Sequence, residues 1–361
     1  MLFFTYFFYV FKPATYSFVT NKTGIKCLTF LPKLFISYFL QSDVGAIMVK
    51  KMSKQLRDLV KQPGILVKPG AYNALSAKII EAAGFQCCGI SGYAVSVSLL
   101  GKPDVGLVTS NELAMVTNYV TSSVNIPVLV DVDTGFGNAI NVMRTTEDFI
   151  KAGAAAIHME DQVAPKRCGH VAGKEVISIE EAVGKYRAAA KVRDEMDPDF
   201  LLVARTDARG VAGGTLDDVI TRAKAYAEAG ADMIFPEGLV SEEEIERVCQ
   251  EVLVPIHYNR TGVSPMISKE KLRSYGVKMV SNATGALRTT ARAIWDYMHD
   301  FAEGDVDYVE QFLSEGKDHP TGDLHSFVGF SDIKALEKEY LPSEDVLKKY
   351  EGSLGFQPKP D

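Results

Sequence analysis

The sequence predicts an α/β protein built on a (β/α)8 TIM-type barrel. From residue 64 onward a unit recurs: a short run rich in Val and Ile, then a loop, then a helical pattern. Eight such runs fit within about 230 residues, the size of one barrel. Several of the helical patterns end in Ala-Gly, where a left-handed residue lets the chain leave a helix at little cost. Buried runs alternating with amphipathic helices place the helices outside a parallel sheet. The competing architecture is an open doubly wound sheet, which more often shows a glycine fingerprint after its first strand. The corresponding stretch here, KPGAYN at 68–73, is not such a fingerprint.

In chain order, the first strand is expected at Ile65–Lys68 and is followed by a helix over Asn73–Ala83, with Asn73 as its N-cap and Gly84 at its end. The second run is Cys87–Ser91, whose adjacent cysteines point to opposite faces if they lie in a strand. The third is Pro127–Asp133, followed by a helical pattern over Thr145–Ala152 that stops at Gly153. The fourth is Ala154–Glu160, with Ser178 as the N-cap of the next helix. The fifth is Phe200–Arg205. It is followed by GVAGG at 210–214, which lacks the Lys-Ser/Thr of a P-loop and reads as a flexible loop. A helix over Leu216–Ala229 ends at Gly230, and the sixth run is Asp232–Pro236. Ser241 and Glu244 have capping-box spacing. The seventh and eighth runs are Pro255–Asn259 and Val277–Asn282. After Trp295 a helical tail is expected to about Tyr350. In it, 316–330 reads as a linker, and the charge pattern around Lys334–Tyr340 suggests a surface or interface helix. The expected organisation is therefore a barrel domain over 49–300 and a helical extension over 301–361.

Residues 1–48 do not match the rest. They hold thirteen of the chain's 35 Phe, Tyr and Trp residues and a single acid, Asp43. The run Leu2–Phe11 is too short to span a bilayer, and the segment has lysines but none of the arginines of a mitochondrial presequence. Three readings stand: an extended gene start, with Met48 or Met52 opening the enzyme, a targeting segment, or a membrane-associating one. The barrel itself is expected to form no stable membrane association. Net charge is −7 and there is no basic stripe with interleaved aromatics, so nucleic acid is excluded as a partner. Five irregularly spaced cysteines read as reduced thiols in a cytoplasmic compartment, with organellar targeting by residues 1–48 as the alternative.

Chemistry in a barrel sits at the C-terminal ends of the strands, and polar residues gather there. The third run ends in Asp131 and Asp133, the fourth in His158 and Glu160, the fifth in Arg205, the sixth reaches Glu237, and the seventh ends in Asn259. Asp131, Asp133 and Glu160 make a hard oxygen site suited to Mg²⁺, with Mn²⁺ as the alternative ion. Mg²⁺ takes few direct protein ligands and keeps several waters, so one carboxylate binds directly and the others through water. His158, His170 and His257 match no zinc spacing. The loop PKRCGHVAG at 165–173 puts Cys168 between Arg167 and His170, an electropositive setting expected to favour thiolate. Arg205 at a strand end must meet a carboxylate, from the protein or from a substrate.

These motifs resemble the isocitrate lyase and phosphoenolpyruvate mutase superfamily over about Leu56–Leu341. They are VDVDTGFG at 130–137, HMEDQ at 158–162, KRCGH at 166–170, ARTDA at 204–208 and FPE at 235–237. KRCGH resembles the lyase branch. The resemblance implies a Mg²⁺-dependent carbon–carbon lyase that cleaves a small 2-hydroxy di- or tricarboxylic acid, of the 2-methylisocitrate or 2,3-dimethylmalate type, to a 2-oxo acid and a second carboxylate. It implies Asp131 as metal ligand with Asp133 and Glu160 nearby, Cys168, Arg205 and Glu160 as catalytic groups, and Ser91, Gly92 and Tyr93 as the cradle of the keto-acid carboxylate. Asp104, Gly169, His170, Glu237, Asn259 and Arg288 fall on substrate-contacting positions. It also implies a homo-oligomer, a dimer or tetramer, whose last helix swaps between subunits. One departure stands out: the tyrosine that handles the alkoxide proton in the family's methylisocitrate lyases is absent here, with Gly89 at its position, or is replaced by Tyr93. Oxaloacetate hydrolysis or decarboxylation on the same scaffold is the nearest alternative, and a catalytically silent acid-binding barrel is another.

Overall fold

A computed structural model describes residues 51–341, 348, 350 and 352–357. The aromatic-rich segment 1–48 lies outside the described residues. Eight parallel strands close into a barrel in the order β1 to β8. They are β1 (Leu66–Ala71), β2 (Cys88–Ile90), β3 (Val128–Asp131), β4 (Ala156–Glu160), β5 (Leu201–Thr206), β6 (Met233–Pro236), β7 (Ile256–Asn259) and β8 (Val277–Asn282). Each expected run overlaps one of them; β1 and β5 extend beyond the expected Lys68 and Arg205, to Ala71 and Thr206. The closing pair sets Lys68 of β1 opposite Ser281 of β8.

The helices are α1 (Met52–Lys61), α2 (Ala74–Ala82), α3 (Ser110–Thr121), α4 (Ala139–Lys151), α5 (Ile179–Met196), α6 (Leu216–Glu228), α7 (Glu242–Glu251), α8 (Lys269–Tyr275), α9 (Gly285–Gly316), α10 (Leu324–Phe327) and α11 (Phe330–Tyr340). Asn73, Ser178 and Ser241 cap α2, α5 and α7 by accepting backbone N–H bonds. α4 starts well before the expected Thr145, because Asn138 forms a reciprocal capping box with Asn141. The signal was present, but it carries no Glu or Gln at the third position. The expected linker at 316–330 contains the short helix α10, capped by Asp323. α9 runs through residue 300, with non-helical backbone at Asp305 (φ 47°).

Two apolar layers result. The larger lies between the sheet and the surrounding helices and includes Cys88, Val130, Ile157, Leu202, Ile234 and Val280. The other fills the barrel: Leu66, Cys87, Leu129, Leu201, Val203, Met233, Phe235 and Met279, with Leu56 and Val60 of α1 packed against them. Cys87 and Cys88 therefore do face opposite ways. Arg57 of α1 donates to the backbone oxygens of Asp199 and Phe200 and pairs with Asp232 at 3.0 Å. This holds the helix across the N-terminal end of the barrel and leaves the C-terminal end open.

Candidate active site

Side chains alternate along a strand, so the interior residues mark which positions point inward. Continuing each interior row by two residues gives Asp131 above Leu129, Arg205 above Val203, Glu237 above Phe235, Ser281 above Met279, and His158 then Glu160 above Ala156. The polar residues at the strand ends thus share one chamber because they share a parity. One pocket at that end is lined by Ser91, Tyr93, Asp104, Asp131, Cys168, Gly169, His170, Arg205, Glu237, Asn259 and Arg288, among others. Three expected residues lie just behind this lining. Gly92 sits where a Cβ would come 3.2 Å from Asp131 Oδ2 and 3.1 Å from Asp133 Oδ1, and its N–H donates to Asp131 Oδ2 at 3.2 Å. Asp133 and Glu160 are buried beside Asp131 and Arg205 respectively. Asp133 holds a left-handed backbone (φ 49°), a strained conformation for a non-glycine residue and common at functional sites.

The charges are arranged in linked pairs. Burial alone would raise the Asp131 carboxyl, but His158, with Nε2 3.1 Å from Oδ1, together with Lys166 and Arg205 holds it well below the usual range. Lys166 Nζ bridges Asp104 Oδ1 (2.7 Å) and Asp133 Oδ1 (2.9 Å). Burial still lifts Asp133 to about 6 against that pairing. Burial also raises Glu160 well above an ordinary carboxyl, only partly offset by Arg205. Arg205 is itself buried and meets Asp207 (2.8 and 3.1 Å), Glu160 (3.2 Å) and Glu237 (3.5 Å). Asp207 also accepts from Lys174 at 3.0 Å, and Lys174 reaches back to the backbone oxygen of Gly169.

That last bond seats the loop carrying Cys168. The Cys168 N–H donates to the Asp104 backbone oxygen (3.1 Å). His170 Nε2 lies 2.7 Å from the Thr261 hydroxyl and 3.4 Å from Glu237 Oε1. Gly169 is required by packing: a Cβ there would meet Arg205 Nη2 at 2.2 Å. The thiolate expectation for Cys168 is overturned. Burial raises the thiol, and Asp104 adds to that against a backbone hydrogen bond from His170 and the charges of Arg205 and Lys166. Lys166 and Arg205 are already committed to acids, so the resting group is the thiol, which has a proton to give.

The sequence profile described as phosphoenolpyruvate phosphomutase matches residues 56–302. The chain belongs to the phosphoenolpyruvate mutase and isocitrate lyase family. It is 40% identical over 303 residues to a 2-methylisocitrate lyase from Aeropyrum pernix, covering 82% of this chain and 94% of the relative. It is 37% identical over 293 residues to a 2,3-dimethylmalate lyase from Eubacterium barkeri, covering 79% and 97%. A crystal structure of 2,3-dimethylmalate lyase superposes with a TM-score of 0.76 at 29% identity, over 85% of this chain and 99% of that one. A phosphonopyruvate hydrolase complexed with oxalate and Mg²⁺ superposes with a TM-score of 0.72 at 29% identity, over 81% and 100%.

Within this family fold, the donors present suit a hard cation. Asp131 is ionised and faces the pocket. Neither Glu160 oxygen, though buried, accepts a well-directed hydrogen bond; Arg205 is the charged neighbour of Oε2 at 3.2 Å, which leaves Oε1 able to accept a further donor or cation. Among the described residues no three acids, imidazoles or thiols converge as a ready-made cage. The three histidines have other occupations: His158 on Asp131, His170 on Thr261 and His257 on Ser281.

Sequence reasoning missed Lys166 as the bridge between Asp104 and Asp133, Asp207 and Lys174 as the clamp on Arg205, and Lys68 in the pocket wall. Lys68 had a signal, a charged residue on the inward parity of a buried strand. Lys174 had none, because its partners come from a loop whose path only the folded chain defines.

Proposed function

We propose that the chain cleaves the bond between the hydroxyl-bearing carbon and its carboxylate-bearing neighbour in a small 2-hydroxy di- or tricarboxylic acid. The products are a 2-oxo acid and a second carboxylate. The chain is a carbon–carbon lyase of small carboxylic acids, as both relatives are. What carries the reading is the protonated Cys168 thiol in the same pocket as the ionised Asp131 and the Arg205 guanidinium.

Asp131, with Asp133 and Glu160 behind it, would hold Mg²⁺, or Mn²⁺ in its place. When bound, the ion polarises and stabilises substrate oxygens as a Lewis acid. The backbone at Ser91, Gly92 and Tyr93 receives the carboxylate beside the hydroxyl. Arg205 stabilises oxygen charge that develops as the carbon–carbon bond opens, in a buried site where such a charge acts strongly. Cys168 Sγ–H gives its proton to the departing carbon. Asp104, Gly169 and His170 keep the loop over the pocket, and Glu237, Asn259 and Arg288 contact the second carboxylate end. Gly169 lies against Arg205 and Glu237, and His170 Nε2 lies 3.4 Å from Glu237 Oε1, which ties the Cys168 loop to the pocket wall.

Copies of the chain assemble as a homo-oligomer through the tail helices, which expose Ile294, Trp295, Met298, Phe312 and Leu313. The four described cysteines are free thiols, which supports a cytoplasmic placement. Among the described residues no helix is long and apolar enough to cross a membrane.

The test offers the purified full-length chain 2-methylisocitrate, 2,3-dimethylmalate, isocitrate and oxaloacetate separately with Mg²⁺. Release of pyruvate or glyoxylate from a hydroxy acid supports the reading and chooses the substrate. Consumption of oxaloacetate alone replaces it with a hydrolase or decarboxylase.

A further inference from the structure

β1 carries one charged side chain on its inward parity, Lys68, between Leu66 and Gly70. It is 5% exposed and lines the pocket. The amine lies over Gly89 of β2, which is in register with Gly70, and a Cβ at 89 would fall 2.7 Å from Lys68 Nζ. The amine therefore fills the volume that a side chain at 89 would take. The buried amines of Lys166 and Lys174 are both held by acids. Lys68 has no hydrogen-bond acceptor and no carboxylate at ion-pair distance among the described residues. A buried ammonium without a partner is costly, so burial favours the neutral amine, whose lone pair faces the pocket.

Its surroundings define its chemistry. Burial is the main influence on Lys68, opposed by the Asp131 carboxylate and reinforced by Arg205, and the amine comes down to about 8. Burial pushes the two thiols, on the β2 side, up to about 12, so they stay protonated. Burial lowers the imidazoles of His158 on β4 and His257 on β7, so they stay neutral. β6 and β8 present Phe235 and Ser281. Of these described groups, Lys68 alone changes charge near neutral pH.

We propose that Lys68 is a catalytic residue of this lyase, its amine taking the proton from the hydroxyl oxygen of the bound 2-hydroxy acid as the carbon–carbon bond breaks. The Nζ lone pair accepts the O–H proton. The O–H pair becomes the new C=O bond, and the carbon–carbon pair leaves with the departing carbon, which takes its proton from Cys168 Sγ. The site is left with an ammonium at Lys68 and a thiolate at Cys168. One proton passing from the first to the second through water admitted on product release resets both, so none is consumed overall. The assignment rests on the lyase reading above.

The experiment uses the full-length chain with 2-methylisocitrate and 2,3-dimethylmalate as probes. Lys68→Met should lower kcat by on the order of 10²-fold or more and leave KM within a few-fold. The wild-type kcat should fall on the acid side as the amine protonates, and this limb should be missing from the variant. Lys68→Ala, which opens the same volume, should regain rate in proportion to added methylamine. Unchanged melting temperatures establish that both variants fold. A wild type that cleaves neither acid removes the lyase reading and this inference with it. A wild type that cleaves one, while folded Lys68→Met keeps its rate and its acid limb, removes the inference alone. So does folded Lys68→Ala that methylamine fails to rescue.

Discussion

Replacing Gly169 with alanine adds one methyl group, and its consequence can be worked from distances. The new Cβ would sit 2.2 Å from Arg205 Nη2, 2.9 Å from Glu237 Cγ and 3.1 Å from Glu237 Oε2. Reaching the 3.4 Å of ordinary contact with Arg205 requires an opening of about 1.2 Å. Gly169 has no positive φ, so the effect is steric and not a matter of backbone strain. The guanidinium cannot yield cheaply, because two bonds of 2.8 and 3.1 Å tie it to Asp207. The loop moves outward instead, taking Cys168 with it and stretching the Lys174 bond to the Gly169 oxygen. A misplacement of about 1 Å costs on the order of 10²-fold in rate, or about 2.7 kcal/mol of transition-state stabilisation. The assay is steady-state cleavage of the preferred hydroxy acid, with melting temperature measured in parallel. Gly169→Ala with wild-type kcat/KM and an unchanged melting temperature would refute the seating of the loop on Arg205 described above.

Three further outcomes are expected. Asp207→Asn should destabilise the fold by about 3 kcal/mol, because it breaks a buried pair and leaves Arg205 and Lys174 under-partnered; urea titration measures it. In the wild type, burial would raise Asp207 but Arg205 brings it down to about 2. A depressed carboxyl contributes stability above its unfolded value and loses it as pH falls through the folded one. A contribution on the order of 2 kcal/mol should therefore disappear between about pH 4 and pH 2, and Asp207→Asn should lack that loss. Mg²⁺ at about a hundred times its Kd should stabilise the protein by about 2.7 kcal/mol. EDTA should reverse this in thermal melts, and Asp131→Ala should show no such response. Because burial raises the Cys168 thiol, its alkylation by iodoacetamide should be slow at pH 7 and accelerate only above the ordinary thiol range, as followed by mass spectrometry.

The barrel was legible because apolar runs recur at regular spacing and most of them end in a polar residue. Asp131, Glu160 and Arg205 were found because they break apolar strands at one end, and parity then forces them into one chamber. The state of Cys168 was misread because a sequence shows which charges are neighbours along the chain but not which are already paired. Arg167 and Lys166 look free beside the cysteine, yet Lys166 is consumed by Asp104 and Asp133, which come from distant segments. The start of α4 was missed because Asn138 and Asn141 make a capping box from residues equally common in turns. Lys68 was passed over because its meaning depends on the space left by Gly89 in the next strand, a proximity visible only in the folded chain.

The central claim is that a protonated thiol at position 168 ends a carbon–carbon cleavage. Cleavage of the preferred hydroxy acid in D₂O, by wild type and by Cys168→Ser, tests it most directly. The account predicts that the wild type releases a 2-oxo acid in a Mg²⁺-dependent reaction. The second product should carry one deuterium, with a single handedness, on the carbon that left. Cys168→Ser should bind Mg²⁺ normally and lose roughly 10²- to 10⁴-fold in kcat. Full activity in Cys168→Ser, or deuterium placed without stereochemical preference by the wild type, would contradict it.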